Sequence, residues 1–392
     1  MSVPTLRFKD DDGQEFPEWE EKNISEVLKI GSGKDYKKLV SGDIPVYGTG
    51  GYMLSVNDYL YDGESVCIGR KGTIDRPVLL TGKFWTVDTL FYTHSFIKSL
   101  PRFIYAVFQN IDWKSYNEAS GVPSLSKSTI EKIEINIPSL PEQTKIANFL
   151  TAIDEKISLL TQKSYLLSQY KKGVMQQIFS QELRFKDDDG QEFPEWEEKT
   201  LGEVTTYTKG FAFKSDDYQE DGIRIIRVSD LTASAIKQNN KSIFIDSSKI
   251  DKYESYRIKR NDILITTVGS KPDLIESAVG RGILITNNDE GLLNQNLLKL
   301  NHSTGLENGF LFRQINSERY ITHIKNIQRG NANQSNITLK DLFEFVVFIC
   351  GYKEQTKIAN FLTAIDEKIT NNQTQLDAVK QYKQGLLQQM FV

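Results

Sequence analysis

Glu142-Gln143-Thr144-Lys145-Ile146-Ala147-Asn148-Phe149-Leu150-Thr151-Ala152-Ile153-Asp154-Glu155-Lys156-Ile157 is written twice in this chain, its second copy beginning at Glu354. Identity over a run of that length marks a duplicated unit. Onward from the first copy, Ile146, Leu150, Ile153, Ile157, Leu160, Ser164, Leu167, Lys171, Val174 and Ile178 follow an unbroken 4-3 alternation. The second copy keeps the phase through Ile358, Leu362, Ile365, Ile369, Asn372, Leu376, Val379, Lys383, Leu386 and Met390. This is the heptad pattern of a coiled coil, and two helices with matching seams can bury each other. At about 1.5 Å per residue each helix is roughly 50 Å long, which makes the pair a spacer. Ser164, Lys171, Asn372 and Lys383 weaken a simple coil but restrict its register, because a polar seam residue tolerates few alignments.

A second duplicated segment, Leu-Arg-Phe-Lys-Asp-Asp-Asp-Gly-Gln-Glu-Phe-Pro-Glu-Trp-Glu-Glu-Lys, covers Leu6 to Lys22 and Leu183 to Lys199. Each copy holds three basic and seven acidic residues, so the two carry −8 of a net −4 and the remainder carries +4. The acidity is confined to two tags, and the mild positive balance elsewhere permits nucleic-acid binding without requiring it. The tags lie 177 positions apart and the helix starts 212 apart, so two unequal inserts, roughly 23–141 and 200–353, separate tag from helix. They share little obvious sequence. A chain that keeps its frame and varies its inserts carries its selectivity in the inserts.

With 392 residues, 39% hydrophobic and 26% charged, the composition is that of a soluble protein of two domains plus connectors. No terminal signal or long apolar run stands out, so a cytoplasmic protein without a membrane partner is expected. Cys67 and Cys350 are far apart and His94, His302 and His323 form no cluster. A disulfide framework and a metal site are therefore not expected.

In the first insert, strands are expected at 44–47, 65–68, 77–80, 84–87, 90–93 and 133–137, with a helix over 102–110. The second insert reads as strands near 223–228, 242–245, 262–267, 282–286 and 343–349 with a helical stretch over 306–327. The fold class is α+β. Two mixed α/β recognition domains are separated by an antiparallel pair of long coiled-coil helices in a pseudo-two-fold repeat. The expected segments are 1–141, 142–180, 181–353 and 354–392. Antiparallel helices follow if the second insert has its ends close together. One insert then stands at each end of the rod, and the second helix returns near the first tag.

Gly31-Ser32-Gly33-Lys34 lacks the leading glycine and trailing Ser or Thr of a phosphate loop, since Leu28 and Asp35 stand there. Pro272-Asp273 with Glu276 lacks the trailing lysine of a nuclease carboxylate cluster, and a turn is the plainer reading. No hydrolase, zinc-protease or dinucleotide fingerprint occurs, so nothing points to a catalytic apparatus. What remains are Gly-containing loops with short polar and basic groups. Glycine lets backbone approach a surface, Arg and Lys pair with phosphate or guanine, and Asn or Gln grips adenine. The candidate DNA contacts are Thr49, Arg70, Lys71, Thr73 and Ser124 in the first insert. In the second they are Lys209, Lys214, Thr267, Ser270, Lys271, Arg329, Asn331, Asn333 and Gln334. Each loop alone could be an ordinary turn. Their recurrence in two inserts on one frame carries the reading.

With these residues laid out, the chain resembles the specificity subunit of a type I restriction-modification enzyme. The resemblance rests on Glu18-Trp19-Glu20-Glu21-Lys22, the run Lys209 to Tyr218, Asn261-Asp262-Ile263-Leu264-Ile265, the loop before Leu339, and Pro141-Glu142-Gln143 leading into the helix, in an order that repeats across nearly the whole chain. It implies two target-recognition domains, each reading half of a split, asymmetric site on double-stranded DNA. It also implies helices that form the spacer and bind methyltransferase subunits, two of them expected, with restriction subunits in the full complex. No cofactor is then expected on this chain. S-adenosylmethionine, ATP and Mg would belong to the partner subunits, which carry out adenine methylation, translocation and cleavage. Gly351-Tyr352-Lys353, where the first repeat has Leu140-Pro141, leaves the start of the second helix open. The competing reading from another class is a coiled-coil scaffold whose end domains bind proteins.

Overall fold

The computed structural model describes residues 4–232, 235–237, 242–272, 278–288, 290–302, 305–331 and 334–391, apart from the side chains of His302 and Asn331. The 4-3 pattern becomes two long helices, Leu140–Phe179 and Tyr352–Met390, which begin at equivalent positions of the repeat. Every expected seam residue is buried or half-buried. The compact units do not coincide with the sequence segments. One comprises Met1–Tyr165 with Asn371–Val392, the other Leu166–Thr370, so each unit takes part of both helices.

Within the first unit the helices run antiparallel, since Asn372 Nδ2 donates to Leu160 O at 2.9 Å and Lys383 Nζ meets Asp154 at 2.7 and 2.9 Å. The same Nζ donates to Gln109 Oε1 of the insert at 2.7 Å. The second unit repeats the device: Lys171 pairs with Asp366 at 2.5 Å, and Arg313 of the insert joins the same carboxylate. The polar seam residues thus fix register and tie each insert to its helices. An ion pair is satisfied in one alignment only.

The acidic tag folds onto the start of the helix beside it. Glu142 is fully buried, and the Arg7 guanidinium meets it in a fork at 3.1 and 2.8 Å. Arg184 and Glu354 repeat the pair at 3.3 and 2.9 Å. The next residue anchors the helix to its insert: Gln143 Oε1 accepts from Leu100 N, and its Nε2 donates to Lys98 O and Pro138 O, all at 2.9 Å. Gln355 makes the corresponding contacts with Glu307 N, Gly305 O and Cys350 O. A short antiparallel ladder then closes each insert, Glu20–Asn23 with Glu134–Ile137 and Glu197–Thr200 with Val346–Ile349. The expected return of the second helix to the first tag is present. Leu6 N donates to Gln389 O at 3.2 Å, the repeat equivalent of Leu183 N to Gln177 O at 3.0 Å.

The inserts, unlike in sequence, have one topology. The first holds an antiparallel sheet in the order Lys29–Ser32, Leu90–His94, Ser65–Gly69, Val78–Leu80; the second has Thr205–Lys209, Leu297–His302, Ile263–Thr266, Gly282–Leu284 in the same order. Each adds a second sheet with one parallel pairing, Ser41–Gly48 with Lys83–Thr86 and Ile223–Ile226 with Gly291–Leu293. The expected strands all form, some extended, as in Ser41–Gly48 and Leu90–His94, and most others shortened, and the expected helix over 306–327 is two helices, Asn308–Gln314 and Glu318–Ile327. Cys67 and Cys350 are buried and unpaired. Among the described residues no helix is long and apolar enough to cross a membrane.

The two forked pairs differ in one respect that stability measurements will read. Trp196 Nε1 donates to Glu354 Oε2 at 3.0 Å, whereas the buried Nε1 of Trp19 has no partner. Removing one member of a buried pair strands the other charge, at a cost of about 3–5 kcal/mol. Arg7→Met should therefore destabilise the first unit by about that amount in a denaturant titration, and Arg184→Met should cost the second unit less. The double variant Arg7→Met, Glu142→Gln should be more stable than Arg7→Met alone.

Candidate nucleic-acid interface

The first insert gathers its candidate loops at one end of a sheet. Directly after the strand Ser65–Gly69, the amides of Arg70 and Lys71 donate to Thr89 O at 2.7 and 3.3 Å, and Leu125 N donates to Arg70 O at 2.9 Å. Gly72 N reaches Pro123 O at 2.8 Å, and Lys71 bridges to Ser124. Thr49, at the tip of the hairpin Ser41–Gly48 and Gly51–Val56, comes to the same place, its Oγ1 lying 3.7 Å from where a Cβ on Gly72 would stand. The loop turns tightly because a Cβ on Gly69 would fall 1.9 Å from Thr73 O. Only glycine fits. Thr49, Arg70, Lys71, Thr73 and Ser124 are thus one cluster.

Arg70 and Lys71 are exposed, and the Arg70 guanidinium lies 5.8 Å from the Phe91 ring. They border an open cleft of about 680 Å³ that Ser32, Glu118, Ser124 and Lys127 also line. The cleft is not uniformly basic. Glu118 accepts hydrogen bonds from Thr129 Oγ1 and Ser126 N, and these hold its carboxyl below the ordinary range, so it stays charged.

In the second insert the equivalent link is Ile337 N to Thr267 O at 3.1 Å. The segments read from sequence as loops form a small antiparallel sheet, in which Val268–Gly269 pairs with Gln334–Asn336 and that strand with Arg329–Asn331. Short polar side chains and glycine give little strand signal, so only the pairing reveals it. Thr267, Ser270, Lys271 and Gln334 lie along this sheet, with Lys271 and Gln334 exposed. Arg329 is exposed but engaged, its guanidinium 2.9 Å from Asp341. Asn333 and the side chain of Asn331 lie outside the described residues, as do Asp273 and Glu276.

Lys209 and Lys214 belong to a different element. Lys209 ends the edge strand Thr205–Lys209 opposite Leu298, whose other flank is Ile265, so Lys209 emerges at the same end of the sheet as Thr267. Lys214 follows Phe213, which is held by ring contacts with Phe211 and Tyr253 at 5.0 Å each, and no contact among the described residues brings it to the loops. Its equivalent region in the first insert is Gly33-Lys34. A Cβ on Gly33 would lie 2.0 Å from Val87 O and one on Gly210 1.9 Å from Asn294 O, so the glycine that suggested a phosphate loop serves strand crowding in both inserts. Ser32, met in sequence only within the rejected phosphate loop, and Lys127, which sequence reasoning passed over, both line the first cleft. The only signal for Lys127 was its place after the helix-capping Ser126.

The model of the family described as "Type I restriction modification DNA specificity domain" matches residues 17–169 and 194–381, one copy to each half of the repeat. The specificity subunit of the MjaVIII type I restriction enzyme of Methanocaldococcus jannaschii is 24% identical over 375 residues, covering 93% of this chain and 83% of that protein. A putative type I specificity subunit of Haemophilus influenzae is 30% identical over 118 residues, or 29% of this chain and 31% of that one. Among solved structures, the S subunit of a type I restriction-modification system from M. genitalium covers 100% of this chain and 99% of its own, with a TM-score of 0.67 at 15% identity. A structure described as the basis of assembly and conformational transition of a type I system aligns over 96% of this chain and 98% of its own, with a TM-score of 0.51 and 16% identity. The duplicated frame, the shared insert topology and the two matches to one family model lead to one conclusion: this chain belongs to the type I restriction-modification specificity subunit family.

Proposed function

We propose that this chain is the sequence-reading subunit of a type I restriction-modification assembly and carries no catalysis of its own. Each recognition domain reads one half of a bipartite, asymmetric site on double-stranded DNA. The long helices carry two methyltransferase subunits, and restriction subunits join the complete enzyme. S-adenosylmethionine, ATP and Mg act in those partners. The target adenine must leave the base stack to be methylated, so the recognition domains have to grip the duplex while a neighbouring subunit extrudes a base.

The observation that carries this reading is the equivalence of the loops. Arg70 and Lys71 in one insert and Thr267 to Lys271 in the other follow the same strand, and each group is tied to its partner segment by the same hydrogen bond, Leu125 N to Arg70 O and Ile337 N to Thr267 O. Two inserts that diverged in sequence keep exposed polar and basic groups at one topological position. A protein-binding scaffold gives no reason for that. Retention of the assembled complex on DNA should fall steeply as salt rises, because phosphate contacts release counterions.

Replacing residues 23–141 by the first insert of another family member should change one half of the methylated sequence and leave the other half intact. Sequencing of methylated host DNA reads the outcome, and a swap that altered both halves together would refute independent reading. Arg70→Ala should weaken DNA binding by about 1–3 kcal/mol if the guanidinium meets a base edge. Arg329→Ala should cost less than Arg70→Ala in the same assay, because Arg329 already faces Asp341.

A further inference from the structure

Arg281 stands immediately before the edge strand Gly282–Leu284, and the segment it ends runs beside the candidate loop of the second insert. Ser270 bridges to Ala278, Val279 N donates to Ser270 O at 3.0 Å, and Gly280 N donates to Thr266 O at 2.8 Å. Arg281 N itself donates to Thr266 Oγ1 at 3.2 Å. The backbone of Arg281 is therefore rooted at the base of the small sheet along which Lys271 and Gln334 lie.

Strand alternation gives its direction. A Cβ on Gly282 would meet Ile315, so that residue faces the helices, whereas Ile283 packs with Leu264, Ile226 and Leu293 in the cluster on the opposite face. Arg281 shares the face of Ile283. It is half-buried, and its Nε is fully buried with no hydrogen-bond partner. Burial pushes its pKa down. Other arginines drawn into the two units have partners for their side chains, and for Arg224 it is a backbone carbonyl, Lys237 O. Arg7 faces Glu142, Arg184 faces Glu354, Arg227 faces Asp230 and Arg313 faces Asp366. Removing a charge from water without a partner is unfavourable, so an acceptor brought by a ligand would relieve that cost.

We propose that Arg281 is a specificity-determining residue of the second recognition domain, closing its guanidinium fork on a pair of acceptor atoms of the bound duplex. The assignment rests on the DNA-reading function proposed above. A planar guanidinium presents parallel donors that fit either guanine N7 and O6 or two phosphate oxygens. A lysine would supply only a point charge.

The test uses the chain assembled with its methyltransferase subunits and a duplex carrying the sequence that the wild-type complex methylates. R281A should bind roughly 5- to 100-fold more weakly than wild type. If the fork reads guanine, R281A and R281K both relax the methylated sequence at one base pair of the second half-site. If it holds phosphate, R281K largely retains binding, while R281A weakens binding to all sequences alike and its log-log salt slope is shallower by about one. In either case R281A should melt no lower than wild type, since it removes an uncompensated charge. Unchanged affinity, salt slope and methylated sequence in R281A would overturn the assignment, and so would a lowered melting temperature, which would make the arginine structural. A wild-type complex that fails to bind the duplex would refute the DNA-reading function itself.

Discussion

A carboxylate with no exposure to water, sealed against the first turn of each long helix, is the constraint on which the frame depends. Glu142 and Glu354 sit where a helix favours negative charge, yet that field is far too weak to offset complete desolvation. The balance comes from Arg7 and Arg184, which belong to the tags. The tag must therefore fold onto the helix, and folding it places the strand that follows against the strand that ends the insert. One buried charge thus couples three segments distant in sequence. The same geometry explains why the duplicated stretches are the tag and the helix start. Each contains half of the forked pair that joins tag to helix, and neither can change alone.

The inserts are under no such pairwise constraint. Their sheets share strand order and even the parallel pairing, while their sequences diverged until the kinship was invisible. What must be kept for that topology is apolar character at alternating positions and glycine where a strand passes too close for a Cβ, as at Gly33 and Gly210. Loops beyond the strand ends carry neither demand. In one insert they became a single bridge between Lys71 and Ser124, in the other a three-stranded sheet.

The helices were legible because a heptad is a local, repeated signal, and all its positions lie on the observed seam. Several strands were not. Leu297–His302 carries Lys299 and Asn301, and only the structure shows that the Lys299 ammonium is drawn in to donate to Arg257 O at 2.8 Å. Thr205–Lys209 and Gly291–Leu293 are too polar or too short to stand out. The candidate residues Arg70, Lys71 and Ser124 were named from separate loops without knowledge that they meet. That meeting rests on pairing across tens of residues, which no local pattern encodes. Arg281 was invisible for the opposite reason, since its distinction is a partner it lacks.

The division of each helix between two units has a consequence for biosynthesis. The first unit needs residues 371–390 to cover Ile146, Leu150 and Ile153, and those residues leave the ribosome long after that helix face. Its apolar helix face stays open while more than 200 further residues are made. The second unit draws its two helix segments from 166–179 and 352–370, so it can close before the first. Of the two units, the one begun first is thus the one completed last, and in the interval an uncovered heptad seam is a ready target for another nascent copy.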